Sequence, residues 1–556
     1  MTFDSHLRRV GRAAGVLLTI AALAACTKVD PSGKAAGRNT FTVPGVLRIA
    51  TAADPKNLNP LLAASQPTLE LSAFLFSWTV LYDEHAQPYP EALAEIPTLK
   101  NGGVSADGLT LRYKLRRNMK WHDGVKVTCN DLRFTWQAVM NTHNNVITTD
   151  GYKDIRSIDC RDPYVAVIHM KRLYAPFLQQ LWAVNGNAPI LPEHLLAKVN
   201  DAKGSLNTAP YNSAPIASGP FQFVSWTRGD NVRLKAFPEF YLDAPKLKEV
   251  IYRILADQNT LVTQIETHEI DVAFHAPAGP WVREQRIPGV IAVAPSVFNY
   301  DHLDFNMRRP MFADVRLREA LADAIDRPAL LSETRHGLGV LSETDESPEI
   351  SGAFTNDVPH HPYDPAKARA LLDAAGWHVG RGGIRARNGV RLSFAISTQS
   401  ESTAGRQLET LVQRYWRSVG AEALVKNYPT SIFFENDANG ILQGGKYDVA
   451  FFDWSAAADP DDSPIYSADN FAPHGQNALF WNDPVATRAM NDALQTVNFQ
   501  RRVADYHIVQ RELAAQVPTI ILWFRKEPQL YNSDLKNFRP TPVITTPFWN
   551  TWEYSI

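Results

Sequence analysis

Leu109, Leu111, Tyr113 and Leu115 alternate with Thr110, Arg112 and Lys114, the period-two spacing of a strand with one buried face. Asp107-Gly108 supplies the turn before it, and Trp121-His122-Asp123-Gly124 turns the chain again. Thr128 to Asp131 then predicts the capped start of a helix through Phe134, Trp136 and Val139. Val46-Leu47-Arg48-Ile49-Ala50 and the stretch from Tyr164 to Met170 read as further strands.

The second half alternates between helices and strands. Asp314 predicts a helix in which Leu317, Leu321 and Ile325 recur every four residues on one face. Asp364-Pro365 opens another with an N-cap and a proline at the first helical position, and Gly376 stops it. Asn388-Gly389, set between Ile384-Arg385-Ala386-Arg387 and Val390-Arg391-Leu392-Ser393-Phe394, predicts a hairpin on a type I′ turn. Residues 404–419 and 497–516 read as helices, and Pro518 to Phe524 as a buried strand. There is no repeat of solenoid period, and the class is mixed α/β.

The N-terminus follows another pattern. Arg8, Arg9 and Arg12 precede Ala13 to Ala22, apolar except for Gly15 and Thr19, and Leu23-Ala24-Ala25-Cys26 follows. A charged start, about ten apolar residues and small residues before the cut describe a secretory signal over 1–25, too short to span a bilayer of roughly 30 Å. Leu23-Ala24-Ala25-Cys26 resembles the lipobox of bacterial lipoproteins, which implies that Cys26 carries lipid and becomes the mature N-terminus. Residues 26–45 then read as a lipidated tether, polar, rich in Gly, Pro and Ala, and reaching roughly 20–25 Å as flexible coil. The expected location is extracytoplasmic, periplasm or cell surface, anchored to a membrane by lipid.

Without residues 1–25 the chain keeps 53 basic and 57 acidic residues, a net charge near −4, and no Lys/Arg run stands out. That excludes nucleic acid as a partner, since its binding draws on a dense positive surface. With Cys26 given to lipid, Cys129 and Cys160 remain. An oxidising exterior permits a bridge between them, worth on the order of 3–4 kcal/mol by chain entropy, and two buried thiols are the alternative. Neither has a second Cys or His at zinc-ligand spacing, so no metal and no cofactor is expected.

A family resemblance rests on motifs in order. Asp107-Gly108-Leu109-Thr110 through Leu115-Arg116, Met119-Lys120-Trp121-His122-Asp123-Gly124, Val127-Thr128 and Asp131 resemble the signature of peptide/nickel-type solute-binding proteins, the extracytoplasmic receptors of oligopeptide and dipeptide ABC importers. Ser218-Gly219-Pro220-Phe221 with Trp226 and Tyr241, Glu269-Ile270-Asp271, Phe305-Asn306, Phe312-Ala313-Asp314-Val315-Arg316 to Asp326-Arg327, and Asp364-Pro365-Ala366-Lys367-Ala368 to Ala375-Gly376-Trp377 are similar to its later landmarks. The match spans nearly all of residues 46–540.

The resemblance implies a periplasmic-binding-protein-like clamp of two lobes with a hinge and an extra small α/β domain. Lobe I combines 46–80, 215–300 and 525–556, the inserted domain II is 81–214, and lobe II is 301–524. The hinge falls near 297–303 and 522–526. A solute is captured between the lobes and presented to an ABC permease, and the receptor is expected to be a monomer.

Two segments are implied for the cleft. Family members place a Trp and, three residues on, an Asp for the peptide amine; here Trp454 and Ser455 match the start, the Asp position falls on Ala457, and Asp459 is the substitute candidate. In the second segment Ala64, Ser65 and Gln66, before Pro67, occupy the place where relatives meet the ligand backbone in a strand-like manner. For Asp459, Asp461 and Asp462 the alternative is a solvated loop.

No catalytic role is expected. Ser218-Gly219 lacks the preceding glycine of a nucleophile elbow, His268-Glu269 lacks a zincin's second His, and His360-His361 between Pro359 and Pro362 reads as a surface turn. The other readings that stay open are an extracytoplasmic hydrolase acting on peptides and a solute sensor or scaffold without transport.

Overall fold

Val46–Thr51 forms the strand predicted at the start of the ordered chain, inside a seven-stranded mixed sheet of a computed structural model. The structure describes residues 38–63, 65–201, 203–276, 278–435, 437–543 and 547–556; Cys26, Ala64 and the expected signal lie outside them. The chain divides into two compact units, 1–42 and 43–556. In the first, the Thr42 amide donates to the Asn39 carbonyl at 3.2 Å. The second holds all the sheets.

Across the first sheet the strands run Val290–Val293, Gln529–Asn532, Val272–Ala273, Val46–Thr51, Glu249–Ile254, Asn231–Ala236 and Phe221–Thr227. Val46–Thr51 pairs in parallel with both of its neighbours. The buried Asp271 carboxylate ties three of these strands: it accepts from Arg48 Nε at 2.7 Å and Nη2 at 2.9 Å, and from Asn532 Nδ2 at 3.0 Å. This gives the Glu269-Ile270-Asp271 motif its structural purpose, since a carboxylate buried there needs its charge met.

The second sheet runs Gly339–Leu341, Thr519–Lys526, Ser296–Phe305, Val449–Ser455, Ser393–Ser397 and Glu422–Val425. Ser296–Phe305 is buried at all ten positions, because strands flank it and both faces are covered. Leu303, Trp377, Trp416 and Trp523 belong to the core on this side.

The chain passes between the sheets twice. Val290–Val293 and Ser296–Phe305 are separated by Ala294-Pro295, and Thr519–Lys526 and Gln529–Asn532 by Glu527-Pro528. The spans expected as hinge, 297–303 and 522–526, are strand interior instead. Proline cannot donate to a ladder, so each ladder breaks where proline stands.

The segment 81–214 carries its own three-stranded sheet, Thr110–Lys114, Val165–Met170 and Ile155–Asp162. Leu111 and Tyr113 are buried there while Arg112 and Lys114 are exposed. The helix Cys129–Met140 starts as its sequence predicts, the Thr128 amide donating to Asp131 Oδ2 at 2.8 Å. Cys129 and Cys160 are joined by a disulfide. The apolar core of this segment is continuous with that of the first sheet: Trp78, Trp121, Trp182, Phe221 and Trp552 share one cluster.

Several local predictions change in the fold. The helix capped by Asp314 ends at Asp323, and Asp326 caps a second helix, Arg327–Arg335, so Ile325 is buried in the connection. The hairpin turn has Asn388 and Gly389 both at positive φ, 52° and 78°, as type I′ demands. Its second strand stops at Arg391, however, and Ser393–Ser397 joins the six-stranded sheet. His361, expected on a surface turn, is buried, with Nε2 2.8 Å from the Ala514 carbonyl oxygen. Packing of this loop against the helix Phe499–Gln516 overrides the prolines beside it.

Candidate functional site

The strand Val449–Ser455 is buried through Phe452 and emerges at its C-terminal end, so Asp453, Trp454 and Ser455 stand where the sheet stops. Trp454 pairs with Tyr300 and Ser455 with Asn299 on the neighbouring strand. Trp454 is half-buried and packs against apolar groups on several sides. Ser455 is exposed, and its hydroxyl donates to Asn299 Oδ1 at 3.0 Å.

A charge cluster supports this strand end from beneath. Arg525 lies between Asp301 and Asp453, at 2.5 Å and 3.1 Å, and Trp523 Nε1 donates to Asp301 at 2.5 Å. Burial alone would raise the Asp301 carboxyl, but Arg525 and Arg335 outweigh it and hold that carboxyl below the usual range. Burial would lower the Arg525 guanidinium, but the Asp301 and Asp453 carboxylates outweigh it and hold that group above its usual range.

The loop after the strand leads to a cavity of about 600 Å³. Tyr82, Phe177 and Leu178 from the 81–214 segment wall one side; Phe298, Ile350, Asp459, Phe499 and Arg502 wall the other. Asp459 meets Arg502 in a two-pronged ion pair, and its amide donates to Gln179 Oε1, in the 81–214 segment, at 3.0 Å.

That pair corrects the expectation that Asp459 stands in for an amine-binding aspartate. Its carboxylate is already committed, because an arginine as buried as Arg502 requires a counter-charge. The acidic stretch is also no solvated loop. Asp462 is buried, and burial together with Asp459 raises Asp461, whose carboxylate accepts from Ser463 Oγ at 2.6 Å. Nearby, burial pushes Asp345 up to about 6, and burial with the Asp345 charge pushes Glu346 up to about 8.

The expected ligand-binding residues are thus distributed rather than gathered. Asp459 lines the larger cavity, Trp454 lines a smaller one of about 70 Å³, and Ser455 lies at the strand end between these segments of chain. Ser65 and Gln66 line neither cavity. Ser65 is extended, whereas Gln66 is the first residue of the helix Gln66–Leu75 and its amide nitrogen donates to Glu70 Oε1 at 3.2 Å. A strand-like backbone contact therefore has no place at Gln66.

Sequence reasoning missed the cavity walls contributed by Tyr82, Phe177 and Arg502. None carries a local signal, since each matters only through what the fold sets opposite it. His302 and Asp304 were also missed, although a signal existed. Two residues apart on a strand, they share one face, and His302 Nδ1 lies 2.7 Å from Asp304 Oδ1. Among the described residues no group of three or more His, Cys, Asp or Glu is placed to hold a metal ion. No helix among them is long and apolar enough to cross a membrane.

Known proteins resemble this arrangement over almost its full length. Residues 57–475 match the bacterial extracellular solute-binding proteins, family 5 Middle. The oligopeptide-binding protein AppA of Bacillus subtilis (strain 168) is 25% identical over 536 residues, covering 95% of this chain and 95% of that protein. Its structure in complex with a nonapeptide superposes with a TM-score of 0.76 at 23% identity, covering 92% of this chain and 99% of the other. NikZ from Campylobacter jejuni, in complex with Ni(L-His), gives a TM-score of 0.78 at 25% identity, over 93% of this chain and 100% of that one.

Proposed function

This chain belongs to family 5 of the bacterial extracellular solute-binding proteins, the binding components of ABC importers, and we propose that it captures a peptide or peptide-like solute between its two lobes. In this reading the loaded form is presented to a membrane permease, lipid on Cys26 holds the receptor at the outer side of the membrane, and the solute leaves unaltered.

One observation carries the reading: the cavity of about 600 Å³ draws its walls from residues 82–178 on one side and 298–502 on the other. A solute lodged there touches both, so it has more contacts when the walls approach, and binding shifts the equilibrium toward closure. The volume lies within the usual range for small-molecule sites, and the lining is mostly apolar with a few polar groups. Trp454 and Ser455 offer aromatic packing and hydrogen bonds at the strand end, Ser65 an extended edge, and the Asp459–Arg502 pair a fixed polar end. That AppA holds a nonapeptide and NikZ a nickel–histidine complex supports a polar, peptide-like ligand.

Mass spectrometry of small molecules released on denaturing the purified protein tests this. Peptides or amino-acid-like solutes are the expected result. Steady conversion of an added peptide into fragments would overturn it in favour of a hydrolase.

A further inference from the structure

The smaller cavity, beside Trp454, has an unusual imbalance of hydrogen-bonding groups. Its walls are largely aromatic: Tyr300, Phe434, Phe452, Trp454 and Tyr466. His302 is 3% exposed, and with a proton on Nδ1 donated to Asp304 its Nε2 is an acceptor, which has no hydrogen-bond partner. Gln443 Oε1, on the same wall, is likewise buried and unpartnered. Asp304 adds a carboxylate. The Tyr300 and Tyr466 hydroxyls are 3.0 Å apart and bonded to each other. Among the described residues lining the cavity there is no lysine or arginine. Its rim is open to solvent at Phe434 and Gln476.

Buried acceptors without donors are costly, and an apolar occupant would leave them so. A cation rich in N–H groups meets them and is also attracted by aromatic faces. The volume of about 70 Å³ holds roughly five water-sized groups, and a guanidinium brings about five N–H donors on a compact planar group. We infer that this cavity is a subsite for a cationic, N–H-rich side chain of the captured solute, a guanidinium above all. The inference rests on the receptor reading given above and narrows its substrate class.

The test begins with n-butylguanidinium and its uncharged isostere n-butylurea, each added alone to the full chain in thermal melts. The guanidinium is expected to raise Tm in proportion to its concentration, the urea is not, and Asp304→Asn is expected to abolish the difference. Equal shifts, or none with either compound, overturn the subsite. Independently of how that variant folds, the unaltered chain is titrated with tripeptide pairs that differ only in arginine against citrulline. A preference for arginine of about tenfold or more supports the subsite; equal affinity overturns it while the receptor reading stands. Tripeptides that fail to bind, beside selective binding of butylguanidinium, overturn the peptide reading and support the subsite.

Discussion

Arg502 Nη1 donates to Asp459 Oδ2 at 2.6 Å and Nη2 donates to Oδ1, with the arginine side chain 4% exposed and the aspartate 15%. The Asp459 amide also donates to Gln179 Oε1, in the 81–214 segment beside Phe177 and Leu178. One residue thus neutralises a buried cation through its side chain and ties the 81–214 segment to its own loop through its backbone. Only the carboxylate half of that arrangement responds to substitution of the side chain.

Asp459→Ala leaves Arg502 buried without its partner and is expected to lower unfolding free energy by about 3–5 kcal/mol. Asp459→Ala combined with Arg502→Met removes the orphaned charge, so the pair should cost less than the single change. Urea denaturation measures both; a double variant no more stable than Asp459→Ala refutes the account.

Replacing Cys129 and Cys160 by alanine opens a loop of sequence separation 31. The loss expected from chain entropy is about 3–4 kcal/mol. Because neither cysteine lines either cavity, solute affinity should stay the same by calorimetry. A changed affinity would show that this segment's order governs the cleft.

Glu346 and Asp345 set a pH dependence. Burial raises Asp345 from 3.8 to about 6, and burial with the Asp345 charge raises Glu346 from 4.5 to about 8. A group whose folded pKa is raised holds a proton that the unfolded chain has lost, so its stabilising contribution is complete below the unfolded pKa and disappears as pH climbs through the folded one. Between about pH 5 and 8 the pair should therefore subtract stability as pH rises. Glu346→Gln keeps the neutral shape, and its Tm should fall less over that range than that of the unaltered chain; parallel curves would count against the assignment.

Trp454→Ala removes a half-buried aromatic at the strand end and is expected to weaken solute binding by more than about 1 kcal/mol. An unaltered titration would take Trp454 out of the ligand's surroundings.

Cys26→Ala should leave the protein in the soluble fraction with its solute affinity intact. Continued membrane association would point to another anchor, and lost affinity would contradict the tether reading.

The sequence alone was decisive where the physics is local. Thr128 and Asp131, Asp364 and Pro365, and Asn388 and Gly389 each act within about four positions, and each produced the cap or turn it foretold. The ordered motifs were similarly sufficient for the family, because they record a whole fold's worth of such constraints. Residues far apart in the chain escaped this reading. Asp271 takes its meaning from Arg48, 223 positions away, and Asp459 from Arg502, 43 positions away. The pairing of Ser393–Ser397 with the second sheet, the proline-marked passages between sheets and the acceptor-rich cavity at His302 all came from tertiary structure. Periodicity states which face of an element is apolar; only packing decides what that face meets, and so which charges are matched and which acceptors are left waiting for a ligand.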